Sequence, residues 1–123
     1  MYQLAITRDF IAQHYLIGGD WGRENERHSH HYKVEVRVQQ QDLDQHGYLI
    51  DIVDLESSLG RIIDSYQENT LNDLVPFKDL NPSLERFARV LWEELVSRLD
   101  IDGSVLSVRL WENENDWAAY RQP

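Results

Sequence analysis

Cysteine is absent from this sequence of 123 residues. Its absence excludes disulfide bonds, thiolate metal sites and cysteine nucleophiles, and it fits the cytoplasm, where we expect the protein to reside. Basic residues are also scarce, because 12 Lys and Arg stand against 22 Asp and Glu and the formal net charge is −10. Nucleic acids and anionic membranes attract basic surfaces, so we expect neither as a partner.

Long apolar runs and linker-like segments are lacking as well. No apolar stretch approaches the ~20 residues of a membrane-spanning helix, and the first ten residues lack the apolar run of a signal peptide. The three prolines and six glycines lie mostly between patterned segments. Hydrophobic residues make up 41% of the chain, an ordinary globular proportion, and we expect one domain over residues 1–123.

Alternation of apolar and polar residues predicts an antiparallel sheet. The clearest case is residues 28–39, where Tyr32, Val34, Val36 and Val38 alternate with polar side chains. A turn at residues 42–47 is expected to join this strand to a short return strand in a hairpin. The predicted strands are residues 2–16, 28–39, 48–52, 104–112 and 117–120.

Helical periodicity replaces the alternation in two segments. Apolar residues recur at helical spacing from residue 52 to residue 66, and Asp51 or Asp54 is positioned to cap the start. A second helix is predicted to open at Asn81 as the cap and Pro82 as the first helical residue. This order predicts an α+β fold. Helices on one face leave the other face and the sheet edges open, so we expect a homo-oligomer.

Three of the five histidines lie close together in the sequence. His28 and His30 are two residues apart on a predicted strand, so their side chains project to the same side, roughly 7 Å apart. His14 lies on the apolar side of the first strand, and a neighbouring strand would bring it to that pair, whereas His31 points away. Three imidazoles with a free fourth position are typical of a catalytic zinc site. The alternative is a packed or solvated histidine cluster.

Three carboxylates lie where they could take part in chemistry. Glu24 precedes the histidine pair, Glu68 lies between the two predicted helices, and Glu112 ends a strand on its apolar side. A carboxylate on an apolar face needs a partner, and a heterocycle with adjacent ring N–H and amino donors would be a bidentate one. The alternative for each is an ordinary solvated surface acid.

Several motifs, in order along nearly the whole chain, resemble those of the 6-pyruvoyl tetrahydropterin synthase and 6-carboxy-tetrahydropterin synthase family. Residues 10–14 resemble its F-x-A-x-H, residues 28–32 its H-G-H-x-Y, and residues 47–52 its G-x-[VL]-x-D-F. Residues 71–74 and 81–85 resemble L-N-D-x and N-P-T-x-E, and Trp111-Glu112 resembles the strand end that bears a pterin-anchoring glutamate.

The resemblance implies the tunnelling fold (T-fold), a four-stranded antiparallel sheet with two helices on one face. It further implies trimers whose sheets close into a barrel, with two trimers stacked as a hexamer. It assigns Zn²⁺ to His14, His28 and His30, and pterin binding to Glu112 and Ser83. The implied reaction is elimination or cleavage at the C6 side chain of dihydroneopterin or its triphosphate, in the biopterin, queuosine or folate branch of synthesis.

The sequence departs from the family pattern in its proton-transfer groups. Glu24 stands at the position of the family's cysteine, and Gln67 and Glu68 stand at the positions of its Asp-His pair. Some relatives that make 6-hydroxymethyl-dihydropterin carry Glu in place of the cysteine. The resemblance therefore makes Glu24 and Glu68 the candidate catalytic groups. The alternatives are a zinc-containing pterin or purine binding protein without catalysis, and a structural oligomer without metal.

Overall fold

The computed structural model describes all 123 residues. Four antiparallel strands form one sheet in the order β1-β2-β3-β4. The strands are β1 (Tyr2–His14), β2 (His28–Gln40), β3 (Val105–Trp111) and β4 (Trp117–Arg121). Two helices, α1 (Ile52–Asp64) and α2 (Leu84–Val96), lie between β2 and β3 in the sequence. Three short 3₁₀ turns occupy Gly22–Asn25, Leu71–Asp73 and Val75–Phe77.

The core lies between the helices and one face of the sheet. Side chains alternate across a strand, so the even-numbered residues of β1, β2 and β3 turn inward and the odd-numbered ones face outward. Phe87 of α2 lies at the centre of an aromatic cluster, with ring centroids 5.2 Å from Tyr32 and 5.9 Å from Phe10. The predicted α+β fold with two helices on one face is confirmed.

The predicted return strand at residues 48–52 is wrong. Residues 48–51 form no strand, and Ile52 is already the first residue of α1. The Asp44 carboxylate accepts hydrogen bonds from the N–H groups of His46 and Tyr48, at 2.8 and 3.0 Å. A side chain that bonds to nearby backbone donors offers them an alternative to a strand ladder. The sheet therefore has four strands where the alternation predicts five.

The start of the second helix is also corrected. Ser83 is the N-cap of α2, and its hydroxyl oxygen accepts from the Arg86 N–H at 3.2 Å. The Asn81 amide instead pairs with the backbone of Ile17, accepting from its N–H at 2.7 Å and donating to its carbonyl at 3.0 Å. Local preference assigns the Asn81 side chain to the helix cap. It instead bonds to Ile17, 64 residues away in the sequence.

A matched pair of variants tests the cap of α1. The Asp51 carboxylate accepts from the Val53 N–H at 2.9 Å. Replacing Asp51 with alanine leaves that donor without its partner, so we expect the free energy of unfolding to fall by about 1 kcal/mol in urea denaturation. Asp51→Asn keeps an acceptor oxygen and should stay close to the original stability. Equal losses in both variants would contradict the capping role.

Candidate metal centre

Three histidine rings meet at one end of the sheet. His14 is the last residue of β1, and the antiparallel register pairs it with His28 and pairs Ala12 with His30. The ring centroid of His14 lies 4.5 Å from that of His28 and 4.7 Å from that of His30, and the centroids of His28 and His30 are 4.9 Å apart. The β1–β2 register therefore brings together the three residues that the sequence proposes as ligands.

The surroundings of His14 favour the neutral imidazole, and two of the three rings have a partner at one nitrogen. Burial, with smaller contributions from His30 and His28, lowers the pKa of His14 to about 4, and metals bind the neutral ring. Nδ1 of His14 lies 3.1 Å from the Tyr32 hydroxyl. Nδ1 of His28 lies 2.8 Å from the Glu26 carbonyl oxygen, to which it can only donate. Such partners at Nδ1 leave Nε2 available to a cation.

One buried nitrogen in the cluster lacks a hydrogen-bond partner. Nε2 of His28 is shielded from solvent and makes no hydrogen bond. The Glu24 carboxylate oxygen is 2.9 Å away, which is ion-pair distance, but the pair does not have hydrogen-bond geometry. Hydrogen bonds weaken steeply when misaligned, so the short distance to Glu24 does not satisfy this nitrogen. A buried polar atom left unpaired is costly, and a cation at Nε2 would satisfy it.

The donor set fits zinc. One ligand atom from each of His14, Glu24, His28 and His30 lies within 4.8 Å of the others. Zinc in proteins binds imidazole nitrogen and carboxylate oxygen atoms, and it usually has four ligands. The sequence predicts a free fourth position, whereas the structure brings the Glu24 carboxylate to the same cluster. An open position therefore requires this side chain, 55% exposed, to turn toward solvent.

The loop before β2 positions Glu24 through its backbone. Glu24 lies in the 3₁₀ turn Gly22–Asn25, and its carbonyl accepts from the Leu16 N–H at 2.8 Å. The Asn25 amide closes the loop by donating to the Leu16 and Gly19 carbonyls, both at 3.0 Å, and by accepting from the Trp21 N–H at 2.7 Å. The main chain of Glu24 is thus held in place while its carboxylate stays free to move.

Glu112 lies on the same side of the sheet as the histidines. It directly follows β3, whose last ladder pair is Trp111 with Lys33 of β2. The next residue on each strand, Glu112 and Tyr32, therefore faces inward with the histidines. Burial raises the pKa of Tyr32, and the negative charge of Glu112 raises it further. Tyr32 thus interacts with the half-buried Glu112 carboxylate and with Nδ1 of His14, the ring nitrogen that does not face the proposed cation.

Glu68 and Ser83 do not join the donor group within this chain. Glu68 is exposed and has a left-handed backbone, with φ of 62°. Its N–H donates to the Ile11 carbonyl at 2.6 Å, which places it along the outer edge of β1. The Ser83 hydroxyl caps α2. Their proposed roles in proton transfer and substrate binding therefore need a contribution from outside this cluster.

Two residues of the site have no role in the sequence interpretation. Tyr32 ends the H-x-H-x-Y segment, and its even position on β2 was the signal that could have identified it as a partner of His14. The side-chain amide of Gln13 is buried. With its nitrogen turned toward the backbone carbonyls of Glu68 and Asn69, it donates to them at 3.1 and 3.2 Å, and its oxygen accepts from the Ser29 hydroxyl at 3.2 Å. No sequence pattern indicates that role.

Removing the Tyr32 hydroxyl tests its role as the partner of His14. Tyr32→Phe keeps the buried ring but deletes the group 3.1 Å from Nδ1. Loss of such an outer partner weakens metal binding by roughly 10–100-fold, and we expect zinc affinity to fall about tenfold in competition with a chromophoric chelator. Tyr66→Phe, which removes a buried hydroxyl bonded to Glu94, is the control. Equal zinc affinities in both variants would contradict the role of Tyr32.

A family model for 6-pyruvoyl tetrahydropterin synthase matches residues 3–123 of the chain. The chain belongs to the 6-pyruvoyl tetrahydropterin synthase family. This membership supports a pterin-processing enzyme of the tetrahydropterin synthase kind, and it confirms the resemblance drawn from the motifs. No curated protein sequence matches the chain.

Solved structures show that the fold is that of the family. Caenorhabditis elegans 6-pyruvoyl tetrahydropterin synthase superposes with a TM-score of 0.88 at 19% identity, covering 99% of this chain and 96% of that one. The Plasmodium falciparum synthase superposes with a TM-score of 0.79 at 14% identity, covering 98% and 97%. A Plasmodium vivax synthase in which a catalytic glutamate is replaced by alanine has a TM-score of 0.80 at 14% identity, with the same coverage. The T-fold prediction is therefore confirmed. Separately, neither helix is long and apolar enough to cross a membrane.

Proposed function

We propose that this protein is a zinc-dependent enzyme that acts on the C6 side chain of dihydroneopterin or its triphosphate, in the manner of 6-pyruvoyl and 6-carboxy-tetrahydropterin synthases. The observation that carries the proposal is the convergence of His14, His28 and His30 around an unpaired buried nitrogen, on the same side of the sheet as Glu112. Membership of the family supports the substrate class.

The three histidines would hold the ion. Tyr32 and the Glu26 carbonyl orient two of the rings through Nδ1, at 3.1 and 2.8 Å. When bound, zinc supplies Lewis-acid polarisation of the oxygens on the substrate side chain. Glu112 accepts hydrogen bonds from a ring N–H and the amino group of the pterin, the bidentate pairing that suits a carboxylate. This pairing fixes which end of the substrate faces the histidines.

Glu24 is the proposed proton-transfer group. Its carboxylate lies 2.9 Å from Nε2 of His28, so it can reach atoms of a molecule bound beside the histidines. With the triphosphate it would take a proton from a side-chain carbon as the bond from the neighbouring carbon to the triphosphate oxygen breaks. With dihydroneopterin it would take the proton of a side-chain hydroxyl as the adjacent C–C bond breaks, and return a proton to the carbon left on the pterin. The Plasmodium vivax mutants, in which a catalytic glutamate is replaced by cysteine or alanine, support a carboxylate in such a role.

A trimer or hexamer would complete the site. Glu68 and Ser83 lie outside the donor group of their own chain, on the β1 edge and at the start of α2. We assign Glu68 a second proton-transfer role and Ser83 a substrate contact, both made to a site shared between neighbouring subunits. The outer edge of β1 before Ile11 and the short strand β4 offer the unpaired backbone groups that such an assembly needs. A cytoplasmic location is proposed from the absence of cysteine.

Turnover of two substrates tests the proposal. Purified protein loaded with one zinc per chain is incubated with dihydroneopterin triphosphate and, separately, with dihydroneopterin, and the pterin products are separated by chromatography with fluorescence detection. Formation of a pterin changed at C6 from either substrate is the expected result. No product from either one, in protein that retains its zinc, would overturn the enzymatic proposal.

A binding protein without catalysis is the second candidate. It is favoured by one observation, that Glu68 is exposed and lies apart from the histidines, at the position of the family's missing acid–base pair. In that case pterin binds the zinc-loaded protein in calorimetry without turnover, and Glu24→Ala leaves the affinity unchanged.

A further inference from the structure

The outward face of the sheet carries a charge opposite to that of the rest of the chain. This open face consists of the odd-numbered residues of the four strands. It holds four of the 12 basic residues, namely Lys33, Arg37, Arg109 and Arg121, and only two of the 22 acids, Asp9 and Glu35. A local excess of cations on a chain with net charge −10 points to a ligand of negative charge.

Three of these cations line a groove across β2, β3 and β4. The groove has a volume of about 330 Å³ and is lined by Arg37, Arg109 and Arg121, together with Ser107 and Trp117. Odd and even residues face opposite sides of a strand, so this groove lies on the other side of the sheet from the metal-ligating histidines. It is therefore a separate site from the candidate metal centre.

Two of the three arginines have no carboxylate partner. Glu35 stands directly opposite Arg109 in the β2–β3 register, but one oxygen of Glu35 accepts two bonds from Arg37, at 2.8 and 3.1 Å. The Arg109 guanidinium instead stacks 4.1 Å from the ring centroid of Trp117. Neither Arg109 nor Arg121 forms an ion pair. Their donors therefore remain available to a ligand.

Stacked arginine is suited to oxyanions that carry several charges. A guanidinium lying on an aromatic face is held in one orientation and keeps its N–H groups free for bidentate bonds to phosphate oxygens. The Ser107 hydroxyl adds a neutral donor on the strand that bears Arg109, directly opposite Arg121 in the β3–β4 register. A chain of linked phosphates can contact several of these donors at once, whereas a single small anion would reach fewer of them.

We propose that this groove binds the phosphate chain of inorganic triphosphate or of a nucleoside triphosphate, with Arg109 and Arg121 as the main contacts. The assignment does not depend on the proposed enzymatic function, because no residue of the groove belongs to the metal centre. Attraction between charges at an exposed surface is screened by salt, so the affinity is expected to fall as the sodium chloride concentration rises.

Calorimetric titration with inorganic triphosphate tests the proposal on the zinc-loaded protein at 0.15 M sodium chloride. Tryptophan fluorescence gives a second readout, because Trp117 contacts Arg109. We expect Arg109→Ala and Arg121→Gln each to weaken binding about tenfold, the effect of losing one charged hydrogen-bonding group. Arg89→Ala is the matched control, since Arg89 also lies over an aromatic ring, Tyr120 at 5.2 Å, but belongs to α2 and pairs with Glu93 of the same helix.

A further variant distinguishes the groove from the metal centre, because triphosphate also coordinates cations. Binding that persists in His30→Ala and weakens in Arg109→Ala supports the groove. The opposite pattern overturns it and assigns triphosphate to the metal. Tighter binding of ATP than of triphosphate identifies a nucleotide ligand, and equal binding identifies the phosphate chain. Lack of binding by both at millimolar concentration, or a change of oligomeric state in Arg109→Ala without a change in affinity, would refute the proposal.

Discussion

His30→Ala is expected to lower zinc affinity by about a thousandfold. The three rings lie with centroids 4.5–4.9 Å apart, so removing one leaves two imidazoles and an exposed carboxylate. A four-ligand zinc site contributes roughly 10–16 kcal/mol in total, which is about 3–4 kcal/mol for each ligand and corresponds to two or three orders of magnitude. Zinc content after dialysis and competition with a chromophoric chelator measure the loss.

His31 provides the matched control for that experiment. It is the next residue on β2, but it points to the opposite side of the sheet, is 69% exposed and lies 3.7 Å from Asp9. His31→Ala should therefore keep one zinc per chain. If both variants retained zinc, the cluster would be a packed group of histidines, which is the alternative that the sequence leaves open. If both lost it, the effect would be attributable to disruption of β2.

Replacing Glu24 with glutamine or alanine is expected to lower kcat by roughly 10²–10⁴-fold, the usual contribution of one proton-transfer group. The same variants should keep their zinc, because the three histidines are the protein ligands of a catalytic zinc site and water can take the fourth position in place of the carboxylate. Glutamine retains the size and hydrogen-bonding capacity of the side chain, so its activity isolates the loss of the carboxylate as a base. The rate is measured with the substrate that turns over, and zinc content is measured on the same samples.

Glu26→Ala is the control for Glu24. Glu26 lies in the same loop and is exposed, and only its backbone carbonyl contacts the site, at 2.8 Å from Nδ1 of His28. Its substitution should leave kcat within about twofold, the range of an ordinary surface change. Full activity in Glu24→Ala would remove Glu24 from catalysis. If Glu24→Ala lost activity in proportion to its loss of zinc, Glu24 would instead be a metal ligand in the enzyme without substrate.

The histidine pair was predictable because its geometry is local. His28 and His30 share a side of β2 through strand alternation alone, and the same rule turns His31 away. His14 needed more, since its place beside them depends on the β1–β2 register, which pairs it with His28. Strand alternation predicted the correct side of the sheet for His14, and the family resemblance identified it as the third zinc ligand.

The error at the start of α2 came from a distant contact that competes with a local preference, whereas the error at residues 48–52 came from local bonds of Asp44. Asn81 followed by Pro82 is a good helix start by local chemistry, but the Asn81 amide forms two hydrogen bonds with the backbone of Ile17. Asn72 makes the equivalent pair with Tyr15, at 3.0 and 2.9 Å. These two amides bind the backbone of the segment that follows His14. Asn72 and Asn81, which belong to the family motifs, therefore help to position the site through backbone hydrogen bonds. No periodicity in the sequence indicates such bonds.

The amino-acid sequence by itself determined which chemical groups the protein has and which side of each strand presents them: imidazoles without thiols, an acidic chain, and inward and outward faces. Only the tertiary structure decided that Glu24 reaches the histidines, that Glu68 does not, and that three arginines share one groove. The physical reason is that alternation follows from the geometry of neighbouring residues, whereas these distances depend on strand register and on side-chain bonds between segments far apart in the chain.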